Sequence, residues 1–336
     1  MKTLSKSVAA VCLFATGAVT AFAGVTISSP QNRSQVSSPF TLAASANNCS
    51  SQRVTSIGYA VDSMSDPTTV SGSSLSVQVS ASAGAHTVYV VAYGPKRATC
   101  VAQVAVTVAA ALNIPANAIS VSGLQTLSNW IGVDDAAGSG TAQGTMSLVG
   151  SPSYGGQALE FQTQFTNSGD ERYSVVFGDD PNTMNFVWDG WLYLNRSVGE
   201  VANLEMDMNQ VMANGQTVIY GFQCDGYSGT WDYSMNAGTP QSPDSRWVHA
   251  NAPCNVQNWG TQKWHHVQIV YSRDASGNVT YQSVWLDGTE TPVNATVSSA
   301  YALGWGPVLL TNFEIDGKGS SGSSTVYLDD LTVYRW

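Results

Sequence analysis

The segment from Asn203 to Asn209 carries an acidic or amide side chain at every second position. Asn203, Glu205, Asp207 and Asn209 alternate there with one leucine and two methionines. Successive side chains of a β-strand point to opposite faces, so the pattern predicts a strand with one apolar and one polar face. The polar face indicates a solvated surface, a site that binds a polar ligand, or a catalytic site built on Glu205 and Asp207.

Two carboxyl groups on one strand face are a candidate pair for glycosidic bond hydrolysis. Inverting hydrolysis needs carboxyl groups roughly 6.5 to 9.5 Å apart, and retaining hydrolysis needs roughly 5 Å. Same-face neighbours on a strand lie about 6.6 Å apart, which matches the wider spacing. Both groups would lie on the same side of a bound sugar, however, so a further carboxylate would have to come from elsewhere. Glu160 and Glu314 are the candidates, since each lies on a predicted strand beside an amide residue.

Aromatic residues flank this segment along the chain. Trp188 and Trp191 precede it, and Tyr220 and Trp231 follow it. Flat aromatic rings stack on the apolar faces of sugars, while amides and carboxylates hydrogen-bond to the hydroxyl groups. We therefore expect these four rings to contact a ligand together with the polar strand residues. The alternative is that they fill a protein core.

Four cysteines follow the first 23 residues of the chain: Cys49, Cys100, Cys224 and Cys254. They fall into two pairs that are well separated in sequence, and we predict the disulfides Cys49–Cys100 and Cys224–Cys254. Zinc ligation is the alternative, but no CxxC spacing supports it. The Cys224–Cys254 bridge would hold a long loop rich in aromatic residues, which we expect to form a wall of the site.

The first 23 residues have the pattern of a secretory signal peptide. Lys2 and Lys6 precede a short apolar run, and Ala21-Phe-Ala23 provides a small-x-small cleavage site. The apolar run is too short to span a bilayer, and no later segment is apolar enough to do so. We therefore expect a secreted protein, extracellular or periplasmic, without membrane insertion.

The chain is acidic, with a net charge of −10 at pH 7, although charged residues make up only 11% of it. This charge disfavours nucleic acid as a partner, because binding to phosphates needs basic patches. Abundant Ser, Thr, Asn, Gln and Gly are typical of a secreted all-β protein. No nucleotide-binding loop or zinc motif is present, so we predict no cofactor.

Short alternating runs separated by turn residues occur throughout the chain and predict an all-β fold. Residues 24–108 contain such runs and no tryptophan, which predicts a first β-sandwich. Residues 109–117 contain Pro115 and lack periodicity, which predicts a linker. Residues 118–336 hold all ten tryptophans and further strand patterns, which predicts a second β-sandwich.

Sequence motifs in both halves resemble known modules. Val25-Thr-Ile-Ser-Ser-Pro30 and Gly84-Ala-His-Thr-Val-Tyr-Val-Val-Ala92 are similar to bacterial immunoglobulin-like domains. Trp264-His-His-Val-Gln-Ile269 and Val326-Tyr-Leu-Asp-Asp-Leu-Thr-Val-Tyr334 resemble concanavalin-A-like and laminin-G-like jelly rolls. The resemblance implies an immunoglobulin-like sandwich followed by a jelly roll. It does not define the function, because that superfamily includes lectins, hydrolases, lyases and adhesion modules.

Glucanases of this superfamily carry the pattern Glu-x-Asp-x-(x)-Glu on one strand. The chain matches it with Glu205-Met-Asp207 but has Asn209-Gln210 where the acid/base glutamate belongs. The resemblance thus implies Glu205 as the nucleophile of any reaction. It also implies a structural calcium ion by the last strand, for which Asp179-Asp180 and Asp329-Asp330 offer oxygen ligands. Ordinary turn carboxylates are the alternative.

The leading hypothesis is therefore a secreted protein that binds a polysaccharide or oligosaccharide through the polar face of the strand. The second hypothesis is an endo-acting β-glucan-type glycoside hydrolase with Glu205 as nucleophile, and the third is a surface adhesion module. The absence of a glutamate at 209–210 favours binding over catalysis. A third carboxylate near Glu205 would favour hydrolysis.

Overall fold

A computed structural model describes residues 21–22, 24–36, 38–108, 112–135, 140–195 and 199–336. The predicted signal segment lies outside these residues except for Ala21–Phe22. The described regular structure is nearly all β, which confirms the predicted fold class. Within these ranges no helix is both long and apolar enough to cross a membrane. The chain divides into two compact units, residues 1–111 and 112–336, and this division falls inside the predicted linker.

The first unit consists of short strands. Their bounds are β1 Ala21–Phe22, β2 Val25–Ser29, β3 Ser34–Val36, β4 Phe40–Ser45, β5 Asn48–Cys49, β6 Gln52–Arg53, β7 Ser56–Val61, β8 Thr68–Ser71, β9 Ser74–Val79, β10 Gly84–Tyr93 and β11 Thr99–Val108. The described strands form two main sheets, ordered β1-β2-β4-β9 and β3-β11-β10-β7-β8. A shared core of aliphatic side chains, among them Leu42, Ile57 and Val90, draws on both sheets. The immunoglobulin-like identity of this unit stays a prediction.

The second unit has longer strands. Their bounds are β12 Ile119–Ser122, β13 Ile131–Asp135, β14 Thr141–Val149, β15 Ala158–Thr166, β16 Asp170–Gly178, β17 Asn185–Leu194, β18 Val201–Val211, β19 Thr217–Tyr220, β20 Phe222–Asp225, β21 Thr230–Asn236, β22 Ser245–Pro253, β23 Trp264–Arg273, β24 Asn278–Leu286, β25 Thr289–Ser298, β26 Ala300–Tyr301, β27 Leu309–Gly317 and β28 Gly322–Arg335. Short 3₁₀ turns occur at Pro95–Arg97 in the first unit and at Leu124–Thr126 and Val256–Asn258 in the second.

Two antiparallel sheets build the second unit from its described strands. The eight-stranded sheet runs β14-β15-β28-β17-β23-β24-β25, and β12 pairs with β28. The nine-stranded sheet runs β13-β16-β27-β18-β20-β21-β22, with β19 and β26 beside this path. Side chains from both sheets, including Phe161, Trp188, Met206 and Phe313, share one core. The unit is therefore a β-sandwich in which each of the two sheets packs one face against this core.

Both predicted disulfides are present. Cys49 pairs with Cys100 in the first unit, and Cys224 pairs with Cys254 in the second. Each bridge joins cysteines of one unit, as the spacing of the two pairs predicted. The Cys224–Cys254 bridge ties β20 to the end of β22 in the nine-stranded sheet.

Candidate functional site

Strand β18 has the two faces that its sequence pattern predicts. Its leucine and two methionines have no solvent exposure and lie in the core of the sandwich. The opposite face carries the polar residues, of which Glu205 is 8%, Asp207 7% and Asn209 4% exposed. These groups lie on the outer face of the sheet but are almost entirely covered. They therefore line a recess rather than an open surface.

The neighbouring strand β27 adds a second set of polar side chains to this face. Glu314 is directly opposite Glu205, Asp316 is opposite Asn203, and Asn312 is opposite Asp207. Directly paired residues have Cβ atoms about 4.5–5.5 Å apart. Glu314 is thus the further carboxyl group near Glu205. The other sequence candidate, Glu160, lies on β15 in the opposite sheet.

The polar row continues across the sheet on both sides. On β16, Arg172 pairs with Glu314 and Asp170 pairs with Asp316. On β20, Gln223 pairs with Glu205, and Gln223 in turn pairs with Asp232 of β21. Polar side chains from five adjacent strands therefore meet on one face of the sheet.

These strands form the floor of a cavity of about 710 Å³. The rim of the cavity is apolar and partly exposed, with Ile131, Val176, Trp247, Leu303 and Trp305 along it. Trp247 is 39% and Trp305 41% exposed, so both rings are accessible to a ligand. The cavity combines a buried polar floor with exposed tryptophans at its edge.

Part of the rim belongs to the segment enclosed by the Cys224–Cys254 disulfide. Ser234, Ser245 and Trp247 all lie within that segment and line the cavity. Gly221 precedes β20 below this wall, and a Cβ atom there would lie 2.5 Å from Ser234 Oγ and 3.3 Å from the Trp247 ring. The absence of a side chain at Gly221 therefore lets the wall pack closely against the floor.

The cavity is strongly acidic. One guanidinium group, that of Arg172, lines it together with six carboxyl groups. The carboxyl groups belong to Asp135, Asp170, Glu205, Asp207, Glu314 and Asp316. Arg172 forms an ion pair with Asp135 at the edge of the group.

Burial and mutual repulsion both raise the pKa values of these carboxyl groups. Burial, and then the charge of Glu314, raises the pKa of Glu205 well above its ordinary value. Burial and the charge of Asp316 raise the pKa of Glu314 to about 10. Burial raises the pKa of Asp207 to about 7, although a hydrogen bond from the Phe222 amide lowers it in part. The floor therefore holds protonated carboxyl groups that can donate as well as accept hydrogen bonds.

Hydrogen bonds within the protein fix some of these groups and leave others free. The Phe222 amide donates to Asp207 Oδ1 at 2.9 Å, and Asn203 Nδ2 donates to Asp316 Oδ2 at 3.0 Å. Three buried oxygens, Asn209 Oδ1, Gln223 Oε1 and Asp316 Oδ1, have no partner in the described part of the chain. All three residues line the cavity. Because buried polar atoms are normally satisfied, these three oxygens are the unsatisfied acceptors of the floor.

Three of the four aromatic residues expected to contact a ligand do not reach the cavity. Trp188 and Tyr220 are completely buried and Trp231 is 2% exposed, and all three belong to the core of the sandwich. Trp188 donates from its ring to Thr311, and Tyr220 donates to Gln210, so their polar atoms are satisfied inside the protein. The expectation of ligand contact does not hold for these rings, because they have no accessible face.

The fourth aromatic residue, Trp191, lies on β17 of the other sheet. Its ring stacks between Tyr154, at a centroid distance of 3.8 Å, and His266, at 4.4 Å. It is therefore remote from the cavity. The aromatic residues at the rim are Trp247 and Trp305 instead. Trp305 was missed, although its position between Gly304 and Gly306 is typical of an exposed loop.

A group of potential metal ligands, Asp225, Asp232 and His249, lies at the β21 side of the floor. The Thr230 hydroxyl donates to Asp232 at 2.6 Å, and His249 Nδ1 lies 2.8 Å from the other carboxylate oxygen. Both oxygens of Asp232 are thus engaged by protein groups. The group is held together by its own hydrogen bonds.

Two of the four carboxylates considered for a calcium ion by the last strand, those of Asp180 and Asp329, have protein partners. Asp329 accepts hydrogen bonds from the amides of Tyr154 and Asp330 at 2.6 and 2.8 Å. Asp180 accepts from the Thr183 hydroxyl at 2.6 Å and from Arg335 at 2.9 Å. These contacts give Asp329 and Asp180 structural roles, and the calcium ion by the last strand stays a prediction.

Comparison with known proteins gives no family assignment. No model of a protein family matches the chain, and no curated protein matches it. Solved structures match it at low identity.

The structural matches include carbohydrate-binding and lectin-like proteins. One comes from work titled "Structural basis for the promiscuous specificity of the carbohydrate-binding modules from the beta-sandwich super family" (11% identity, 92% of this chain and 96% of that chain covered, TM-score 0.34). Another is "Cellulose induced protein, Cip1" (16%, 61% and 90%, TM-score 0.37). A third is arcelin-5, a lectin-like defense protein from Phaseolus vulgaris (13%, 66% and 99%, TM-score 0.35). With TM-scores below 0.5, these likenesses do not bear on what the cavity binds.

Proposed function

We propose that the cavity on the nine-stranded sheet binds a polysaccharide or oligosaccharide. The observation that carries this proposal is the combination of a buried floor of carboxyl and amide groups with the exposed rings of Trp247 and Trp305. Sugar rings present apolar C–H faces to aromatic rings and hydroxyl groups to polar side chains. The cavity volume of about 710 Å³ lies within the usual range of small-ligand sites.

The charge of the floor favours a neutral glycan over an anionic one. Six carboxyl groups and one guanidinium line the cavity. A uronate or sulfate group would be repelled by any ionised carboxylate in the cavity. Burying these like charges together would also cost desolvation energy. Hydroxyl groups, in contrast, can accept hydrogen bonds from the protonated acids and donate to Asn209, Gln223 and Asp316.

The pair formed by Glu205 and Glu314 keeps glycoside hydrolysis as a second candidate function. Burial raises the pKa of Glu314 to about 10, which keeps this group protonated at neutral pH, as a proton donor must be. Hydrolysis with Glu205 as nucleophile also requires Glu205 itself to be ionised. Burial and the charge of Glu314 raise the pKa of Glu205 as well, so its ionised form is disfavoured. The electrostatics therefore favour binding over catalysis.

Export from the cytoplasm is part of the proposal. The two disulfides support it, because such bridges persist in oxidising compartments. The same compartment would give the protein access to extracellular polysaccharide.

The binding proposal is tested by measuring affinity for a panel of soluble neutral and anionic polysaccharides. We expect Trp247→Ala and Trp305→Ala each to weaken binding by roughly two- to tenfold, from the usual strength of an aromatic contact. Tyr154→Ala is the matched control, because Tyr154 is a half-exposed aromatic residue packed on Trp191 away from the cavity. Equal effects of all three variants, or no binding to any glycan, would refute the proposal.

Product analysis on the same glycans separates binding from hydrolysis. Glu205→Gln mimics a protonated glutamate, so we expect it to retain glycan affinity while Glu205→Ala loses much of it. Release of shorter sugars by the wild type, abolished in both Glu205→Gln and Glu314→Gln, would establish the hydrolase instead.

A further inference from the structure

The polar row of the nine-stranded sheet continues past the cavity to the edge strand β22. Directly paired residues carry the row across six adjacent strands: Arg172, Glu314, Glu205, Gln223, Asp232 and His249. The first four of them line the cavity, and the last two continue the row beyond it. The row therefore ends outside the cavity, at His249.

His249 is held in place by a buried carboxyl group. The side chain of Asp232 has no solvent exposure, and its Oδ2 lies 2.8 Å from His249 Nδ1. The Thr230 hydroxyl donates to the other oxygen of Asp232 at 2.6 Å, so this carboxyl group has a fixed orientation. Because Nδ1 is bonded to Asp232, Nε2 on the far side of the imidazole ring points away from it.

The Nε2 atom of His249 is available to a ligand. The side chain of His249 is 65% exposed, whereas the other three histidine side chains are at most 21% exposed. Protein oxygens contact both ring nitrogens of His86 and of His265. Nε2 of His249, in contrast, has no hydrogen bond to the part of the chain that the structure describes. His249 thus combines a fixed ring with a free hydrogen-bonding atom.

The exposed ring of Trp247 lies beside His249 on the same face of β22. Alternate residues of a strand share a face and are about 6.6 Å apart. The opposite face of β22 carries Ala250 and Ala252, which belong to the core. An aromatic ring next to a hydrogen-bonding group matches the apolar face and the hydroxyl groups of a sugar unit.

The distance from the cavity floor to His249 exceeds one sugar ring. His249 lies two strands away from Gln223, which corresponds to about 10 Å across the sheet. A ligand that is held over Glu205 and Gln223 therefore reaches His249 only if it continues as a chain along the Trp247 wall.

We propose that His249 binds a second sugar unit of the glycan at the rim of the cavity, beside Trp247. This inference rests on the proposed function of the cavity. Nε2 of a neutral imidazole accepts a hydrogen bond, and Nε2–H of a protonated one donates. A sugar hydroxyl can be the partner in both cases. The protein therefore binds an oligosaccharide or a segment of a polysaccharide more tightly than a single sugar.

The test is calorimetric titration of the full chain with neutral β-1,4-linked gluco-, xylo- and manno-oligosaccharides of one to six units. We expect the wild-type affinity to rise with length until both positions are filled. His249→Ala should weaken binding of the longer oligosaccharides about two- to tenfold, the usual strength of one hydrogen bond, and leave the shortest bound one unaffected. His86→Ala, at a histidine–aspartate pair of the first unit, is the control and should bind like wild type.

Two conservative variants separate ligand binding from a structural role of the contact with Asp232. The side-chain amide of asparagine reaches the place of Nδ1 and can keep that contact, but it leaves the place of Nε2 empty. The amide of glutamine reaches the place of Nε2 instead. We expect His249→Gln to retain more affinity for the longer oligosaccharides than His249→Asn. The reverse order would assign the effect to the Asp232 contact and overturn the proposal.

Failure of this inference is distinguishable from failure of the proposed function. Wild-type protein that binds no oligosaccharide and no polysaccharide contradicts the proposed function, and the inference with it. Wild-type binding that His249→Ala leaves intact at every length, or weakens equally at every length, overturns the inference alone. Stronger His249-dependent binding of oligouronides than of the neutral series would assign the ring to an anion and also overturn it.

Discussion

Burial raises the pKa values of individual acids in the cavity, and this makes the stability of the protein depend on pH. Asp207 is 7% exposed, and burial raises its pKa from 3.8 to about 7. Between these two values the unfolded chain has lost the proton of Asp207 while the folded chain still holds it. Unfolding then releases a proton, so its free energy falls as the pH rises. The stabilising contribution is complete below pH 3.8 and is lost by about pH 7.

We therefore predict that Asp207→Asn flattens the pH dependence of stability. In wild-type protein, the free energy of unfolding should fall between pH 4 and 7. A pKa shift of this size corresponds to about 4 kcal/mol, and the variant loses that part of the slope. Denaturant unfolding at several pH values, followed by tryptophan fluorescence, measures it. Asp244→Asn, at an exposed ion pair with Arg246, is the control and should keep the wild-type slope. An unchanged slope in Asp207→Asn would show that this carboxyl group titrates normally.

At the scale of the strand, the side chains of β18 alternate between the hydrophobic core and the cavity. Met206 is completely buried in the core, whereas its neighbours Glu205 and Asp207 line the cavity. A shift of one residue in pairing would exchange the two faces. The apolar face therefore fixes which side chains reach the ligand.

We predict that Met206→Ala lowers the free energy of unfolding by about 2–5 kcal/mol, because it leaves a cavity in the core. Met184 provides a matched control, since its side chain is 40% exposed. Met184→Ala is expected to change stability by less than about 0.5 kcal/mol. Urea unfolding of the two variants gives the comparison, and similar values would contradict the burial of Met206.

The Cys224–Cys254 disulfide stabilises the wall that carries Trp247. It encloses a segment with a sequence separation of 30, which restricts the unfolded chain. Replacing both cysteines by alanine is expected to cost about 2–4 kcal/mol in the second unit. All ten tryptophans lie in that unit, so tryptophan fluorescence follows its unfolding alone.

The Cys49–Cys100 bridge supplies the control for this experiment. Replacing it by alanines is expected to leave the tryptophan transition in place, because the first unit has its own core. A shift of that transition as large as the one from the Cys224 and Cys254 variant would show that the two units unfold together.

The sequence pattern predicted the strand and the polar row but not their partners. Alternation at 203–209 identifies two faces from local residues alone. The pairing of Glu205 with Glu314 depends on the register between β18 and β27, which a single sequence does not specify. Burial of Trp188 and Trp231 likewise depends on which sheet face each residue meets. Disulfides were predictable because the four cysteines allowed one pairing within each half.

At the scale of the whole molecule, the site belongs entirely to the second unit. Every residue that lines the cavity lies between Asn129 and Asp316, and the unit has its own core. We predict that a fragment of residues 112–336 folds and binds glycan with the affinity of the full chain. Comparison of the two proteins by calorimetry on the same polysaccharide checks this. An affinity more than about tenfold weaker in the fragment would assign part of the binding to the first unit.

The position of β28 governs when this unit can assemble. Residues Gly322–Arg335 lie between β15 and β17 in the eight-stranded sheet, although both neighbours come much earlier in the chain. During synthesis, β15 and β17 are made long before β28, the strand that lies between them. Until β28 is made, the edges of β15 and β17 that pair with it are exposed and can form incorrect pairings. Such distant pairings also make folding slow. The central ladder of the eight-stranded sheet can therefore close only after Gly322–Arg335 has been made.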